Sequence, residues 1–387
     1  MLLTIIIFIL VLSVLVFAHE LGHFMMARRF GVKAEEFGFG FPPRAFGIYK
    51  NAAGQWKLVW GAKEVADAPG TVYSINWLPL GGFVKIKGEN GDQKNEPDSF
   101  ACRPVWQRAV ILSAGVIMNV ILASVLIISG YLAGLPQALD NGIDPRANVR
   151  DQKIQIVQVI KDSPASAAGL RIGDAILSID SQQFLNFGQL QAYVGSKAGQ
   201  QLDYKIKRGR DEFNEKITPV IIKETGRGGI GIALSQTGVV SYPWYLAIWQ
   251  GLITTFSLVW AIILAFYELL KGLLAGQGVS ADLAGPVGIA AITGQVARMG
   301  FIYLMQFTAL LSINLAVINF FPFPALDGGR VLFLIIEKIK GSPVKKEVEG
   351  AIHNIGFALL MALVLLVTLK DVSKFGGIFK AIWDKIF

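Results

Sequence analysis

The sequence is poor in the residues that mark several common protein classes. It has one cysteine, Cys102, which excludes an intrachain disulfide and a zinc site built from cysteines. It has only three histidines among 387 residues, so any histidine cluster stands out. Charged residues make up 17%, whereas ordinary soluble domains carry about 25%. With 53% hydrophobic residues and a mean hydropathy of +0.51, the composition is that of a membrane protein.

The net charge of +8 is compatible with a nucleic acid or another acidic partner. In a membrane protein, however, an excess of Lys and Arg in the loops on one side has the same effect. Such a basic stretch begins at Arg28 and Arg29 and includes Lys33 and Arg44. We therefore expect a cytoplasmic location for this stretch and no nucleic-acid partner.

Two of the three histidines lie near the end of the first apolar run, residues 2–27. This run has no Lys or Arg before it and no A-x-A-like site after it, so we expect a membrane helix rather than a signal peptide. It ends in His19-Glu20-Leu21-Gly22-His23. Residues four apart share a helix face, so His19 and His23 can bind one zinc ion while Glu20 takes a proton from the attacking water. Because ionisable groups within a membrane helix are costly, a metal site is favoured over histidines that lie near the interface by chance.

A β-rich segment follows the basic stretch. Residues 71–88 are rich in β-branched and aromatic side chains and are interrupted by a Pro-Leu-Gly-Gly sequence, which predicts a β-hairpin. Two interpretations remain open. The hairpin is either an ordinary surface feature or a membrane-associated element near the zinc, whose edge can pair with an extended peptide.

Further apolar runs at residues 109–134, 301–326 and 351–369 predict three more membrane helices. The run at 109–134 contains Gly115 and Asn119, and the small Gly115 allows another helix to approach closely. Asn119 either links helices by a hydrogen bond or contributes hydrogen bonds around the active site.

The run at 301–326 ends in Pro322-Phe323-Pro324-Ala325-Leu326-Asp327-Gly328-Gly329, where the prolines cannot continue a regular helix. Asp327 is a carboxylate at the membrane boundary and suits the third ligand of a zinc ion that keeps one position for water. His353 is the alternative candidate for the third zinc ligand, and it is less suitable than Asp327. If the first run ends in the cytoplasm, Asp327 can meet the two histidines only if residues 244–274 do not cross the membrane. We therefore predict four transmembrane helices, with 244–274 interfacial or re-entrant.

Residues 140–230 have the composition of a water-soluble domain. A short helix followed by G-L-x-x-G-D-x-I-x-x-I-D, here Gly169 to Asp180, resembles bacterial PDZ domains. PDZ domains bind peptide or protein termini by strand addition, and such a domain can also restrict access sterically. The predicted organisation has an N-terminal membrane part (1–139), the PDZ domain (140–230), the interfacial segment (231–300) and a C-terminal membrane part (301–387).

With HExxH in its first membrane helix and N-x-x-P-x-P-x-L-D-G-G near a later one, the chain resembles the site-2 protease family of intramembrane zinc metalloproteases. Within this family it is most similar to the regulator of sigma-E protease group, although it has room for one PDZ domain where some members carry two. The resemblance implies a multi-pass α-helical protein of the bacterial cytoplasmic (inner) membrane, with an extracytoplasmic α+β PDZ domain and an active site near the cytoplasmic face.

The resemblance also implies roles for individual residues. His19, His23 and Asp327 would be zinc ligands, and Glu20 the catalytic acid and base. The predicted substrate-binding residues are Asn314, Asn319, Gly81, Gly82, Phe83, Val84, Asn119, Pro322 and Pro324. The expected function is regulated intramembrane proteolysis of single-pass membrane proteins, such as anti-sigma factors or remnant signal peptides. The alternatives are a zinc or other ion transporter, a non-catalytic PDZ membrane adaptor and a zinc endopeptidase that cuts soluble substrates.

Overall fold

The computed structural model describes residues 2–63, 65, 68–91, 93–139, 143–184, 186–209, 211–222, 226–276 and 284–386. The chain divides into two compact units, one formed by Met1–Ile127 with Gly251–Phe387 and the other by Ile128–Gln250. We call the first the membrane unit and the second the sheet unit.

Helices make up most of the membrane unit. Over the described chain they are α1 (Leu2–Arg29), α2 (Val105–Ala133), α3 (Pro164–Ala167), α4 (Phe187–Ser196), α5 (Trp244–Leu274), α6 (Pro286–Met299), α7 (Phe301–Phe320), α8 (Asp327–Lys340) and α9 (Lys346–Ile386). Five of them, namely α1, α2, α5, α7 and the Lys346–Ser373 part of α9, are long and apolar enough to cross a membrane. Helices long and apolar enough to cross a membrane are therefore present at all four predicted positions, and α5 is a fifth such helix. Helix α7 ends at Phe320, before Pro322 and Pro324.

The strands are β1 (Ala34–Lys50), β2 (Trp56–Trp60), β3 (Val72–Ile86), β4 (Leu135–Ala138), β5 (Asn148–Val159), β6 (Ala175–Ile179), β7 (Leu202–Arg208), β8 (Asp211–Ile217), β9 (Val220–Ile222), β10 (Arg227–Gly229) and β11 (Ile232–Ser241). The membrane unit contains a sheet with the order β2-β1-β3. Both β1 and β3 fold back on themselves. Phe37 of β1 pairs with Tyr73 and Val84 in the two arms of β3, and Tyr73 pairs with Phe37 and Ile48 in the two arms of β1.

The prediction of a simple hairpin at residues 71–88 was therefore wrong in its pairing. The first arm of β1 lies between the two arms of β3, so these arms do not pair with each other at this point. Local turn signals cannot reveal such an insertion, because the pairing partner lies more than 30 residues earlier in the chain.

This sheet packs on α1 through aromatic side chains. The rings of Phe24 and Phe37 stack with their centroids 4.4 Å apart, and Phe17 lies 5.4 Å from Phe37. Ser13 ties the tip of β3 to the same helix, because its hydroxyl donates to Pro79 O at 2.9 Å and accepts from Gly81 N at 3.3 Å. The tip of β3 thus lies beside the middle of an apolar helix.

The sheet unit is built on six strands in the order β4-β11-β5-β6-β7-β8, all paired antiparallel, with α3 and α4 beside them. Its core includes the fully buried Ile156, Tyr204 and Ile206. Both β4 and β11 lie outside the predicted domain 140–230, so the folded unit is longer than predicted. For the same reason, residues 232–241 are not part of an interfacial helix. Their pairing with β5 spans more than 70 residues of sequence, and the local composition does not reveal it.

Candidate metal centre

The three predicted ligands meet at one point of the membrane unit. His19 Nε2 lies 2.9 Å from Asp327 Oδ2, His23 Nε2 lies 3.4 Å from the same oxygen, and the two Nε2 atoms are 3.1 Å apart. Both histidines are buried and Asp327 is half-buried. These residues come from α1 and from the start of α8, 308 positions apart. One cation can therefore contact all three donor atoms.

Close packing of α2 against α1 makes room for this cluster. A Cβ atom on Gly115 would lie 2.4 Å from His23 Nε2 and 2.7 Å from His19 Nε2. Any residue other than glycine at this position would therefore clash with the two imidazoles. On the other helix, a Cβ on Gly22 would lie 2.3 Å from Ala114 O. The two glycines thus set the distance between the helices at the level of the ligands.

Groups on α2 and α7 orient the two imidazole rings. His23 Nδ1 lies 2.8 Å from Ile111 O; since a carbonyl only accepts, Nδ1 carries the proton and Nε2 is left with a free lone pair. His19 Nδ1 lies 3.2 Å from the side-chain amide of Asn119. Asn119 is fully buried, and its own backbone carbonyl accepts from Ser312 at 2.8 Å. No motif in the sequence marks Ile111 or Ser312 as part of the site.

Asn119, which the sequence analysis placed among the substrate-binding residues, lies inside the protein next to His19. Its burial leaves no surface for a peptide, and its amide faces a ring nitrogen of His19. The interpretation of Asn119 as a residue that hydrogen-bonds around the active site agrees with this geometry.

Glu20 lies next to the cluster, beside the second arm of β3. A Cβ atom on Gly82 would lie 3.3 Å from Glu20 Cβ and 2.9 Å from Phe17 Cα, and one on Gly81 would lie 2.5 Å from Val16 Cβ. Phe83 follows on the same strand, and Val84 packs near Phe24 and Phe37. In the described chain, residues 82–84 pair with β1 on one side only, which leaves a strand edge close to Glu20.

The remaining predicted site residues lie on α7 and in the turn after it. Asn314 donates its side-chain amide to Leu310 O at 2.9 Å, within its own helix, and Asn319 is half-buried in the last turn. Pro322 is exposed, whereas Pro324 packs against Gly356 of α9. None of these four is among the ligand groups at the cluster. The rival ligand His353 uses its Nδ1 atom to accept from Ala325 N at 2.9 Å.

The donor set fits zinc well. Two imidazole nitrogens and one carboxylate oxygen lie within 4.8 Å of one another, which is a catalytic rather than a structural zinc set because a fourth position remains for water. The hydrogen bond from His23 Nδ1 to Ile111 O is the second contact that metal-bound histidines usually make.

A His-Glu-x-x-His helix of membrane-spanning length, completed by a distant aspartate, defines the class of membrane-embedded metallopeptidases. The family to which the chain belongs is peptidase family M50, whose model matches residues 7–60 and 63–363. The chain is therefore an intramembrane zinc metalloprotease, as the sequence analysis predicted.

Curated relatives align over nearly the full length. The chain is 30% identical to "Regulator of sigma-W protease RasP" of Bacillus subtilis, with 96% of this chain and 98% of that protein covered. It is 34% identical to "Putative zinc metalloprotease CPE1693" of Clostridium perfringens, with 94% and 97% covered. Among solved structures, the PDZ domain of the SdrC-like protein Lin2157 from Listeria innocua is 31% identical over 21% of this chain and 92% of that one, with a TM-score of 0.20.

Proposed function

We propose that this protease cuts peptide bonds in or near the transmembrane segments of membrane-anchored proteins, with His19, His23 and Asp327 as zinc ligands. The convergence of these three residues at the end of a membrane-length helix is the observation that carries the proposal. Zinc, when bound there, polarises the scissile carbonyl and lowers the pKa of water.

Glu20 is the proposed general base and acid. It follows a ligand directly in sequence and lies against Gly82, so its carboxylate is within reach of a peptide held between β3 and the cluster. In the proposed reaction it accepts the proton of the attacking water and delivers that proton to the leaving amine as the C–N bond breaks.

A helical substrate must first be unwound, because its carbonyls are engaged in i to i−4 hydrogen bonds. We propose that an unwound segment pairs with the edge at residues 82–84, which replaces the lost hydrogen bonds. The single-sided pairing of this arm with β1 and its contact with α1 support this role. Asn314 and Asn319 remain proposed donors to the substrate backbone.

The substrates we propose are single-pass proteins such as anti-sigma factors or remnant signal peptides, cut in regulated intramembrane proteolysis. The printed name of the Bacillus subtilis relative, a regulator of sigma-W protease, supports this class. The sheet unit would act on these substrates as a PDZ-type domain that binds exposed termini, filters by size, or both.

For topology we propose four crossings of a bacterial cytoplasmic membrane, with α5 interfacial or re-entrant. Helices α1 and α7 both end near the ligand cluster, whereas α2 begins there, since Ile111 near its start contacts His23. Helix α6, which follows α5 in the chain, packs by Gly294 on Thr4 at the opposite end of α1, and this supports an α5 segment that stays on that side. The basic residues Arg28 and Arg29 support a cytoplasmic location for the ligand end.

The test of the reaction is Glu20→Gln in the full chain, purified in detergent and assayed on a membrane-embedded substrate. We expect zinc content to equal that of the wild type while cleavage is lost. The matched control is Glu268→Gln, which removes an exposed carboxylate on α5 and should cut normally. A Glu20→Gln protein that cleaves at the normal rate would refute the assignment.

The native Cys102, which is exposed, offers a test of sidedness. We expect an impermeant maleimide to leave Cys102 unlabelled in intact spheroplasts and to label it after lysis. In a Cys102→Ser background, Gln200→Cys on the sheet unit should be labelled in intact spheroplasts. The reverse pattern would overturn the topology and leave the proposed chemistry untouched.

A further inference from the structure

The third zinc ligand follows an irregular turn that has few supports of its own. Asp327 begins α8, and Leu326 at its N-cap makes no side-chain capping bond. Ala325, two residues before the ligand, has φ of +78°, a left-handed conformation that is unfavourable for non-glycine residues. Such a conformation persists only where the surroundings hold it.

Helix α9 stabilises this conformation of the turn through two contacts that lie one helical turn apart. His353 Nδ1 accepts a hydrogen bond from Ala325 N at 2.9 Å. Gly356 lies against the preceding residue so closely that a Cβ there would come within 2.4 Å of Pro324 Cβ and 2.7 Å of Pro324 O. The helix thus touches the two consecutive residues that lead into Leu326 and Asp327.

The imidazole of His353 is oriented to accept the hydrogen bond from Ala325 N. Because a backbone N–H can only donate, Nδ1 must be the unprotonated nitrogen, and the proton of the neutral ring is on Nε2. Nε2 is buried and has no hydrogen-bond partner in the described chain, so the bond from Ala325 N is the ring's one hydrogen bond there. Phe333 of α8 lies beside the ring, with the centroids 5.3 Å apart.

We infer that His353 is a positioning residue for the metal centre: it fixes the turn that aims Asp327 although α9 provides no ligand. The inference rests on the proposed role of Asp327 as a zinc ligand. Without the acceptor at Nδ1, the Ala325 amide loses its partner and the carboxylate samples orientations that do not face His19. Outer contacts of this kind change metal affinity by about 10–100-fold when they are removed.

The test is zinc affinity, measured by competition with a chromophoric chelator on the detergent-purified full chain, together with the visible spectrum of the cobalt-substituted protein. His353→Phe keeps an aromatic ring beside Phe333 and removes the acceptor; the cavity of about 510 Å³ that both residues line gives the ring room. We expect its zinc affinity to fall about 10–100-fold and its cobalt spectrum to change.

Two further variants separate the hydrogen bond from packing. His353→Asn places an amide oxygen near the position of Nδ1 and should restore wild-type affinity, whereas His353→Gln, whose amide extends beyond that position, should behave as His353→Phe does. Gly356→Ala should weaken zinc binding by displacing the turn. Its control is Gly350→Ala, which is on the same helix and meets nothing within 4 Å.

Wild-type affinity in His353→Phe would overturn the inference, and so would equal losses in His353→Phe and His353→Asn. Wild-type protein that binds no zinc would instead refute the ligand assignment, and the inference with it. If tight zinc binding survives in every His353 variant, the proposed function stands and only the role of His353 falls.

Discussion

Asn119 stands directly behind His19, with its side-chain amide 3.2 Å from ring Nδ1, while the other ring nitrogen faces Asp327 Oδ2 at 2.9 Å. An imidazole that binds zinc through Nε2 carries its proton on Nδ1 and needs an acceptor there. The oxygen and nitrogen of an asparagine amide exchange places by a simple flip, and Asn119 Oδ1 is buried without a partner in the described chain. We therefore expect Asn119 to accept from His19 when zinc is bound.

Replacing Asn119 by a residue without an acceptor should accordingly lower the affinity for zinc. For Asn119→Leu, which has a similar volume and no acceptor, we expect zinc affinity to fall about 10–100-fold in chelator competition. Asn119→Asp keeps an acceptor and should bind zinc at least as tightly as the wild type. Unchanged affinity in Asn119→Leu would contradict the role assigned to this residue.

A methyl group at Gly115 should disable the centre by direct collision. In Gly115→Ala the new Cβ would lie 2.4 Å from His23 Nε2, closer than any real contact, so an imidazole or α2 itself must move. We expect loss of bound zinc by elemental analysis and a loss of cleavage of about 100-fold. Gly272→Ala on α5, where nothing lies within 4 Å, is the matched control and should retain both.

The parts of this site that the sequence predicts are local or chemically constrained. His19, Glu20 and His23 follow from helical periodicity alone. Asp327 follows from the need for a third ligand and from its place after a membrane-length run. The chemistry could therefore be predicted before the fold was known.

The parts of the fold and of the site that the sequence does not predict depend on the register between segments far apart in the chain. Nothing in residues 71–88 reveals that Phe37 inserts between the two arms of β3. The contact of His353 with Ala325 and that of Asn119 with His19 depend on how helices rotate against one another, which packing of the whole unit decides. For this reason the sequence predicts neither contact.

The fit of β3 against α1 should matter for cleavage and not for zinc. In Gly82→Ala the added Cβ would lie 2.9 Å from Phe17 Cα, so the strand arm must move away from Glu20. A displacement of about 1 Å at a reacting centre can cost about 100-fold in rate, and we expect a loss of that order with zinc content unchanged.

The control for this change is Gly70→Ala, which meets nothing within 4 Å and lies before the same strand. It should cleave at the wild-type rate. A Gly82→Ala enzyme that is as active as this control would show that the strand arm does not position the substrate. Loss of zinc from Gly82→Ala would point to a wider distortion of α1.

The stability of the sheet unit should depend on one buried carboxylate. Asp174 is 1% exposed; its Oδ1 accepts from Arg208 Nε at 2.7 Å, and its Oδ2 from Arg171 N at 2.8 Å. Removing one partner of a buried pair costs about 3–5 kcal/mol, and the lower end applies because Arg208 reaches solvent. In Asp174→Ala we therefore expect the unit to become sensitive to brief proteolysis of the full chain. Since the ligands all lie in the membrane unit, zinc content should not change. Resistance to the protease equal to that of the wild type, or a parallel loss of zinc, would contradict this account.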